Sequence, residues 1–223
     1  MTDATFQEVT DSIAGALNIA AIVSLSPLFR PWYRRWGPTD GLQQRRLPGD
    51  GLVPHPRLET TRAITIHAPV QDVWPWLVQL GQRRGGWYSY EKLENLAGCE
   101  IKNADRILPE YQNIAAGDRL RLGPEGFPFF TVVEVMPERA LVLKGGPVPP
   151  EEEDGVEWSW AFILDGPDAT STRLIARNRV DYDPTLANRI QWRGLIDPIA
   201  FVMERKMLRT IKDRAESTHP SSR

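Results

Sequence analysis

Residues 197–213 read DPIAFVMERKMLRTIKD, and this stretch predicts a long amphipathic helix. Asp197 suits the N-cap, and Pro198 suits the first helical position, where a missing N–H costs no hydrogen bond. Apolar residues then recur every four positions, at Ile199, Met203, Met207 and Ile211. The opposite face, formed by Glu204, Arg205, Arg209 and Asp213, is expected to be solvated. Such a helix must bury its apolar face against another layer of structure.

Five segments before this helix have the composition and alternation of half-buried strands. They are DRLRL (118–122), FFTVVEV (129–135), LVLK (141–144), EWSWAFIL (157–164) and TRLIARNRV (172–180). A further strand, TTRAITIH (60–67), precedes two short predicted helices. Strands so close together, without crossover helices, must pair antiparallel. We therefore predict an α+β fold, in which a curved antiparallel sheet of six or seven strands grips the C-terminal helix and leaves a cavity where the packing stops.

The folded domain is predicted to span residues 59–216. Residues 37–58 are rich in Gly and Pro and lack periodicity, so they form either a linker or an extended wrap. The turn-rich acidic segment GGPVPPEEEDG (145–155) is either a mobile flap over the cavity or a flexible hairpin end. The polar residues 217–223 are expected to be a disordered tail.

The first 36 residues contain an eighteen-residue run without a charge, SIAGALNIAAIVSLSPLF (12–29). As a helix it would reach ~27 Å, slightly less than the hydrocarbon core of a bilayer. Arg30, Arg34 and Arg35, interleaved with Trp32 and Trp36, resemble an interfacial belt on the cytoplasmic side. The run is either a membrane anchor or a helix packed on the domain or on a partner. In the first case the domain is cytoplasmic and tethered to the inner face of the cell membrane.

The composition argues against several classes of partner. A formal net charge of −2 provides no field that would attract nucleic acid. The single cysteine, Cys99, excludes an intramolecular disulfide and fits a reducing compartment. The three histidines have no metal-binding spacing, and the chain has no glycine-rich phosphate loop, so neither a metal nor a cofactor is expected. No protein partner can be identified from the sequence.

Two stretches carry a resemblance to a known superfamily: WPWLVQLGQRRGGWYSYEKLENLAG (Trp74–Gly98) and NADRILPEYQNIAAGDRLRL (Asn103–Leu122). They resemble the SRPBCC superfamily, which includes START lipid-transfer domains, pollen-allergen-like proteins and polyketide cyclases. The likeness is greater to an uncharacterised bacterial branch with the same Trp-rich helix and Pro-Glu-x-Gln segment, and it covers about residues 30–215. It implies a helix-grip fold and a ligand cavity, on a scaffold that hosts binders, transporters, cyclases and hydrolases.

Two groups of residues are candidates for the cavity. The first is aromatic, because Trp and Tyr provide an apolar wall with a polar handle. Its members are Trp74, Trp87, Tyr88, Tyr90, Trp158 and Trp160. The second is polar and consists of Arg106, Glu110, Gln112 and Asn178. Arg106 and Glu110 would pair if they were enclosed. Strand alternation directs Asn178 inward and Arg177 outward, which makes Asn178 the better candidate.

The leading interpretation is binding or transport of a hydrophobic, lipid-like small molecule in an internal cavity. The alternatives are a cyclase-, dehydratase- or hydrolase-like enzyme that uses a cavity carboxylate or tyrosine, and a non-catalytic interaction protein. No catalytic residue can be assigned from the sequence. Cyclisation of a flexible substrate needs mainly shape and one acid or base, so Glu110 or a tyrosine would be sufficient.

Overall fold

The computed structural model describes residues 3–37, 39–146 and 155–218. Most of the predicted flap (147–154) and the last five residues of the predicted tail (219–223) lie outside the described residues. The first two residues of that tail, Ser217 and Thr218, are still helical and end the last helix.

Six strands form one antiparallel sheet, which confirms the predicted fold class. They are β1 (Leu58–Ile66), β2 (Arg119–Arg121), β3 (Phe129–Met136), β4 (Ala140–Gly145), β5 (Glu157–Asp165) and β6 (Thr172–Asp181). Their order is β1-β6-β5-β4-β3-β2, so the first strand pairs with the last and the others form a meander. Helices α2 (Val70–Val78) and α3 (Glu91–Leu96) follow β1, as predicted.

The last helix, α5 (Asp197–Thr218), begins differently from the prediction. Asp197 is not an N-cap, because α4 (Leu186–Arg189) and a π-helical segment (Ile190–Ile196) run into α5 without a break. Pro198 has no N–H to donate to the preceding turn, and a wider helical turn directly before it accommodates that loss. The Asp197 side chain does not cap the helix and instead accepts a hydrogen bond from Arg34 Nε at 2.9 Å.

Glu204 was expected on the solvated face of α5, and this was wrong. Its residue surface is only 4% exposed. The helix is covered on one side by the sheet and on another by α1 (Asp3–Tyr33), so only a narrow strip remains for solvent. Arg209 and Asp213 lie on that strip and are exposed.

Residues 39–53 pack against the outer face of the sheet. Leu42 and Leu47 cover Ala63, Val142 and Ile175, which form a second small core. Such a covered outer face explains why a strand residue predicted to point outward can still be buried.

Arg177 is that residue. Alternation does direct it to the outer face, but the covering segment buries it. Its guanidinium pairs with Asp50 at 2.9 Å and donates to the Leu42 carbonyl. Because each of these partners lies in the covering segment, Arg177 fastens residues 42–50 to the sheet.

Helix α1 packs along α5, with Ile19 and Ile22 against Phe201 and Val202. Helix α1 also approaches the start of α3 closely at Gly15, where a Cβ would lie 2.8 Å from the ring of Tyr90. The side of α1 that faces away from α5 is apolar and exposed; Leu17 and Leu28 are 67% and 76% exposed. Val9–Tyr33 is long and apolar enough to cross a membrane. The buried helices of soluble proteins and signal sequences meet the same criterion.

Candidate functional site

A cavity of about 390 Å³ lies between the inner face of the sheet and α5. Sequence alternation explains its wall, because every second residue of β5 and β6 faces the helix. The sheet contributes Phe130, Trp158, Trp160 and Asn178, and α5 contributes Ile199, Ala200, Met203, Glu204 and Met207. Trp87, Ser89, Glu94, Cys99, Leu122, Phe127 and Pro128 close the remaining side. Its wall is therefore predominantly apolar.

The aromatic residues of the wall pack on one another. Trp87 and Trp160 are stacked, with ring centroids 5.5 Å apart and planes 12° from parallel. Phe130 meets Trp158 edge to face at 4.5 Å. Contacts of this kind hold the rings in fixed orientations, so the cavity is formed before any ligand enters.

Trp87 lies in the loop between α2 and α3 and is held in place by Asn103, which follows α3. Asn103 Oδ1 accepts hydrogen bonds from the backbone N–H groups of Trp87 and Tyr88, at 3.1 and 2.7 Å. Tyr88 has φ +56°, which turns the chain so that adjacent aromatic side chains diverge. Trp87 then enters the cavity wall, while its indole N–H donates to the Arg121 carbonyl.

A polar cluster lies at the cavity wall, centred on Glu204. Oε1 accepts hydrogen bonds from Trp160 Nε1 at 2.9 Å and from Asn178 Nδ2 at 3.0 Å. Oε2 is ion-paired with Arg62, which is itself buried on β1. Asn178 Oδ1 accepts from Trp158 Nε1 at 3.2 Å, so both cavity tryptophans of β5 have their N–H satisfied. These hydrogen bonds hold the side chains of the cluster in fixed orientations.

Arg62 connects this cluster to the N-terminal helix. Its Nε donates to the Tyr33 carbonyl at 2.9 Å, and its Nη2 lies 3.3 Å from Asp197. Asp197 also pairs with Arg34 just after α1. The end of α1 and the cavity thus share one buried network of charges.

Glu94 is the second carboxyl group of the cavity, and it lacks the ion pair that Glu204 has. Its Oε2 is buried and has no hydrogen-bond partner. Burial raises the pKa of Glu94 to about 7, and the neighbouring charge of Glu91 contributes to the rise. Burial, together with the charge of Glu94, also raises the pKa of the Cys99 thiol, which keeps it un-ionised at neutral pH.

Four of the ten predicted site residues line this cavity: Trp87, Trp158, Trp160 and Asn178. Trp74 lies on α2, partly buried against the main core. Tyr88 is buried on the far side of its loop; its hydroxyl accepts from Gln79 Nε2 at 2.7 Å, and burial raises the pKa of the phenol. Tyr90 packs on α1 instead. Tyr88 and Tyr90 line a separate polar cleft beside Arg214 and Lys206.

The predicted polar group does not assemble at the cavity. Arg106 and Glu110 are exposed on a surface turn, and within the described part of the chain no ion pair joins them. Gln112 differs from these two residues because its side chain is hydrogen-bonded within the protein. Its amide donates to Gln79 Oε1 at 3.2 Å and to the Pro75 and Leu108 carbonyls. These bonds fix the loop to α2. A role in ligand binding stays a prediction for the six residues outside the cavity, which are Trp74, Tyr88, Tyr90, Arg106, Glu110 and Gln112.

Sequence reasoning missed Arg62, Glu94 and Glu204. A signal existed for Arg62, because it shares the apolar strand face of Ile64 and Ile66, where a charge requires a buried partner. Glu204 stands between Met203 and Met207, which gives a weaker signal. Nothing in the sequence around Glu94 indicated that a short helix would turn this side chain into the cavity.

No family model matches the chain, and no curated protein matches it. Solved structures do match. The Zhui aromatase/cyclase from Streptomyces sp. R1128 has 16% identity and a TM-score of 0.45, over 71% of this chain and 93% of that one. A conserved protein from Geobacillus kaustophilus has 14% identity and a TM-score of 0.42, over 73% and 97%. Protein Ms6760 from Mycobacterium smegmatis has 14% identity and a TM-score of 0.39, over 73% and 93%.

The chain has a helix-grip fold, in which one antiparallel sheet holds a long C-terminal helix. That statement rests on its own strand order and on the long helix held by the sheet, as the resemblance implied. The helix-grip fold alone does not assign an activity, so the function must be argued from the cavity.

Proposed function

We propose that the protein binds a hydrophobic small molecule in the cavity between β5, β6 and α5. The observation that supports this most is an aromatic wall that surrounds a small polar cluster centred on Glu204. Ligand pockets typically have this composition, with a volume of roughly 300–1,000 Å³ and few polar groups that set orientation. At about 390 Å³ the cavity falls in that range.

Glu204 and Asn178 would orient the ligand. A carboxylate offers about four lone-pair sites, and Glu204 uses three of them within the protein. The remaining site can accept a hydrogen bond from a ligand hydroxyl or N–H. The aromatic surfaces would supply most of the affinity, at roughly 25 cal/mol per Å² of apolar area removed from water.

Native mass spectrometry of the freshly purified full chain, followed by organic extraction, tests this proposal. A bound apolar species at a defined stoichiometry is expected. Met203→Trp on the cavity side of α5 should abolish it, because the indole fills the space, while Asp213→Trp on the exposed side should not. A wild-type chain that carries no ligand and binds none from a panel of apolar compounds would contradict the proposal.

Acid–base catalysis in the same cavity is a second candidate, supported by Glu94. A carboxyl group with a pKa of about 7 in an apolar enclosure can give or take a proton at neutral pH. This fits a cyclase-, dehydratase- or hydrolase-like reaction. It predicts turnover of a defined substrate that falls strongly in Glu94→Gln. Binding without turnover across a broad panel of polyketide and ester substrates would favour the first function.

Membrane association through residues 12–29 is a further part of this proposal, and it would suit a protein that takes its ligand from a bilayer. It is supported by the exposed apolar side of α1, which includes Leu17, Leu25, Leu28 and Phe29. Because α1 also packs on α5, we propose that it lies along the membrane surface with that side immersed.

A further inference from the structure

The charges around the cavity do not balance. Two carboxyl groups, Glu94 and Glu204, line it, and among the described residues no Lys, Arg or His does. Arg62 lies behind Glu204 and compensates it through a buried ion pair. Among the described residues Glu94 has no such ion pair, and the neighbouring charge that shifts its pKa is another carboxylate, Glu91. A ligand that balances the charge of Glu94 when this group is ionised must therefore bring a positive charge.

The aromatic wall favours the same sign of charge. The faces of Trp87, Trp158, Trp160 and Phe130 carry the negative part of the ring quadrupole and attract cations. The cation–π contacts among the described residues lie outside the cavity, as with Arg214 over Trp76 and Arg119 over Phe129. The cavity rings are stacked on one another and, within the described residues, are paired with no cation.

We propose that the cavity selects an apolar molecule that carries a protonated amine, with the ammonium group paired to Glu94 and its substituents against the tryptophans. This inference rests on the proposed binding function and names its ligand class. Carboxylates and phosphates are disfavoured, because they would enter beside an uncompensated carboxylate with no cation to receive them. A simple fatty acid is therefore excluded as the preferred ligand.

The proton on Glu94 controls this selectivity. Near pH 6 most of the carboxyl groups are protonated, because the pKa of Glu94 is raised to about 7, and near pH 8 most are ionised. The titratable groups around it are Glu91 on the same helix, Cys99 just beyond that helix, and Glu204 across the cavity. None of them supplies a positive charge, so affinity for an amine should rise as Glu94 ionises, while affinity for a neutral ligand should not.

Two probes of nearly equal shape test the proposal: 2-naphthylmethylamine, which is a cation, and 2-naphthalenemethanol, which is neutral. Binding to the full chain is measured by calorimetry and by tryptophan fluorescence at pH 6 and pH 8. The amine should bind on the order of tenfold more tightly than the alcohol at pH 8. That advantage should shrink several-fold at pH 6. In Glu94→Gln the pH effect should disappear, and the amine should bind no more tightly than the alcohol.

Glu125→Gln removes the same charge from an exposed position and should leave both affinities unchanged. A thermal melt at pH 6 similar to that of the wild type shows that Glu94→Gln is folded. Equal binding of the two probes at both pH values would overturn the amine proposal and leave the apolar binding function intact. Binding of neither probe, nor of larger naphthyl amines and alcohols, would overturn both.

Discussion

Arg62 on β1 and Glu204 on α5 form an ion pair in the interior of the protein, although 142 residues separate them in the chain. Glu204 also accepts a hydrogen bond from Trp160 in the cavity wall, and Arg62 also donates one to the Tyr33 carbonyl at the end of α1. This pair therefore joins three parts of the fold: the edge of the sheet, the long helix and the segment that precedes the domain.

Loss of Arg62 should destabilise the protein strongly. Arg62→Met leaves Glu204 buried without its counter-charge, and removal of one partner of such a pair typically costs about 3–5 kcal/mol. The double variant Arg62→Met/Glu204→Leu should recover a large part of that loss, because neither charge remains. Urea denaturation of both variants measures the free energy of unfolding.

Arg173 and Asp165 provide the comparison, since they form a partly exposed pair between β6 and β5. Arg173→Met should cost no more than about 1 kcal/mol. If Arg62→Met proved as mild as Arg173→Met, the central place of the Arg62–Glu204 pair in the fold would be refuted.

Stability should decrease with rising pH because of Glu94. In the folded chain its pKa is about 7, against 4.5 for the unperturbed group, so the folded state binds more protons between these values. The contribution of Glu94 is complete below pH 4.5 and is lost as pH rises through 7, by up to about 3 kcal/mol. Glu94→Gln should be more stable than the wild type at pH 8 and lack this dependence, as thermal melts across pH 5–8 would show. A wild-type profile retained in the variant would assign the effect to another group.

Gly15→Val should loosen the N-terminal helix. The new side chain would overlap the ring of Tyr90, which already lies 2.8 Å from the position of a Cβ. Overpacking of this kind costs about 1–3 kcal/mol. Limited proteolysis should then cut α1 faster. Ala16→Val, one position along on the exposed side, should behave like the wild type; equal sensitivity of the two variants would mean that α1 does not depend on this contact.

Membrane association should depend on the outward side of α1. Vesicle flotation with phosphatidylcholine should carry the wild-type chain to the top of the gradient. The double variant Leu17→Asn/Leu28→Asn should remain mostly at the bottom, because each buried leucine contributes roughly 1.5–3 kcal/mol. Leu96→Asn, which changes an 86% exposed leucine on α3, should float normally. A wild-type chain that stays at the bottom would contradict the membrane proposal.

The fold could be predicted from the sequence because its signals are local and repeated. The alternation in EWSWAFIL and TRLIARNRV assigned each side chain of β5 and β6 to the correct face, and the four-residue spacing from Ile199 to Ile211 identified α5. The start of α5 could not be predicted, because Pro198 after Asp197 is an equally good signal for a helix that begins and for a π-helical turn inside a longer one.

The site was less predictable, because burial depends on what covers a residue from far along the chain. Trp158, Trp160 and Asn178 face the cavity by strand period alone. Glu204, in contrast, is buried because Arg62, Trp160 and Asn178 reach it from three strands of the sheet, and Arg177 because residues 42–50 cover the outer face. Arg106 and Glu110 failed to assemble because the turn that carries them stays on the surface.

The pairing of β1 with β6 has a consequence for the order of events during synthesis. Asp50 can form its ion pair only after Arg177 has been synthesised, 127 residues later. Arg62 can pair with Asp197 only after a further 135 residues have been added. Contacts of such long range form late. Helix α1 therefore leaves the ribosome well before α5 exists to cover it, and for that interval a lipid surface has no competitor for its apolar side chains. The partition of newly made protein between bilayer and solution would then depend on the speed of translation relative to membrane capture.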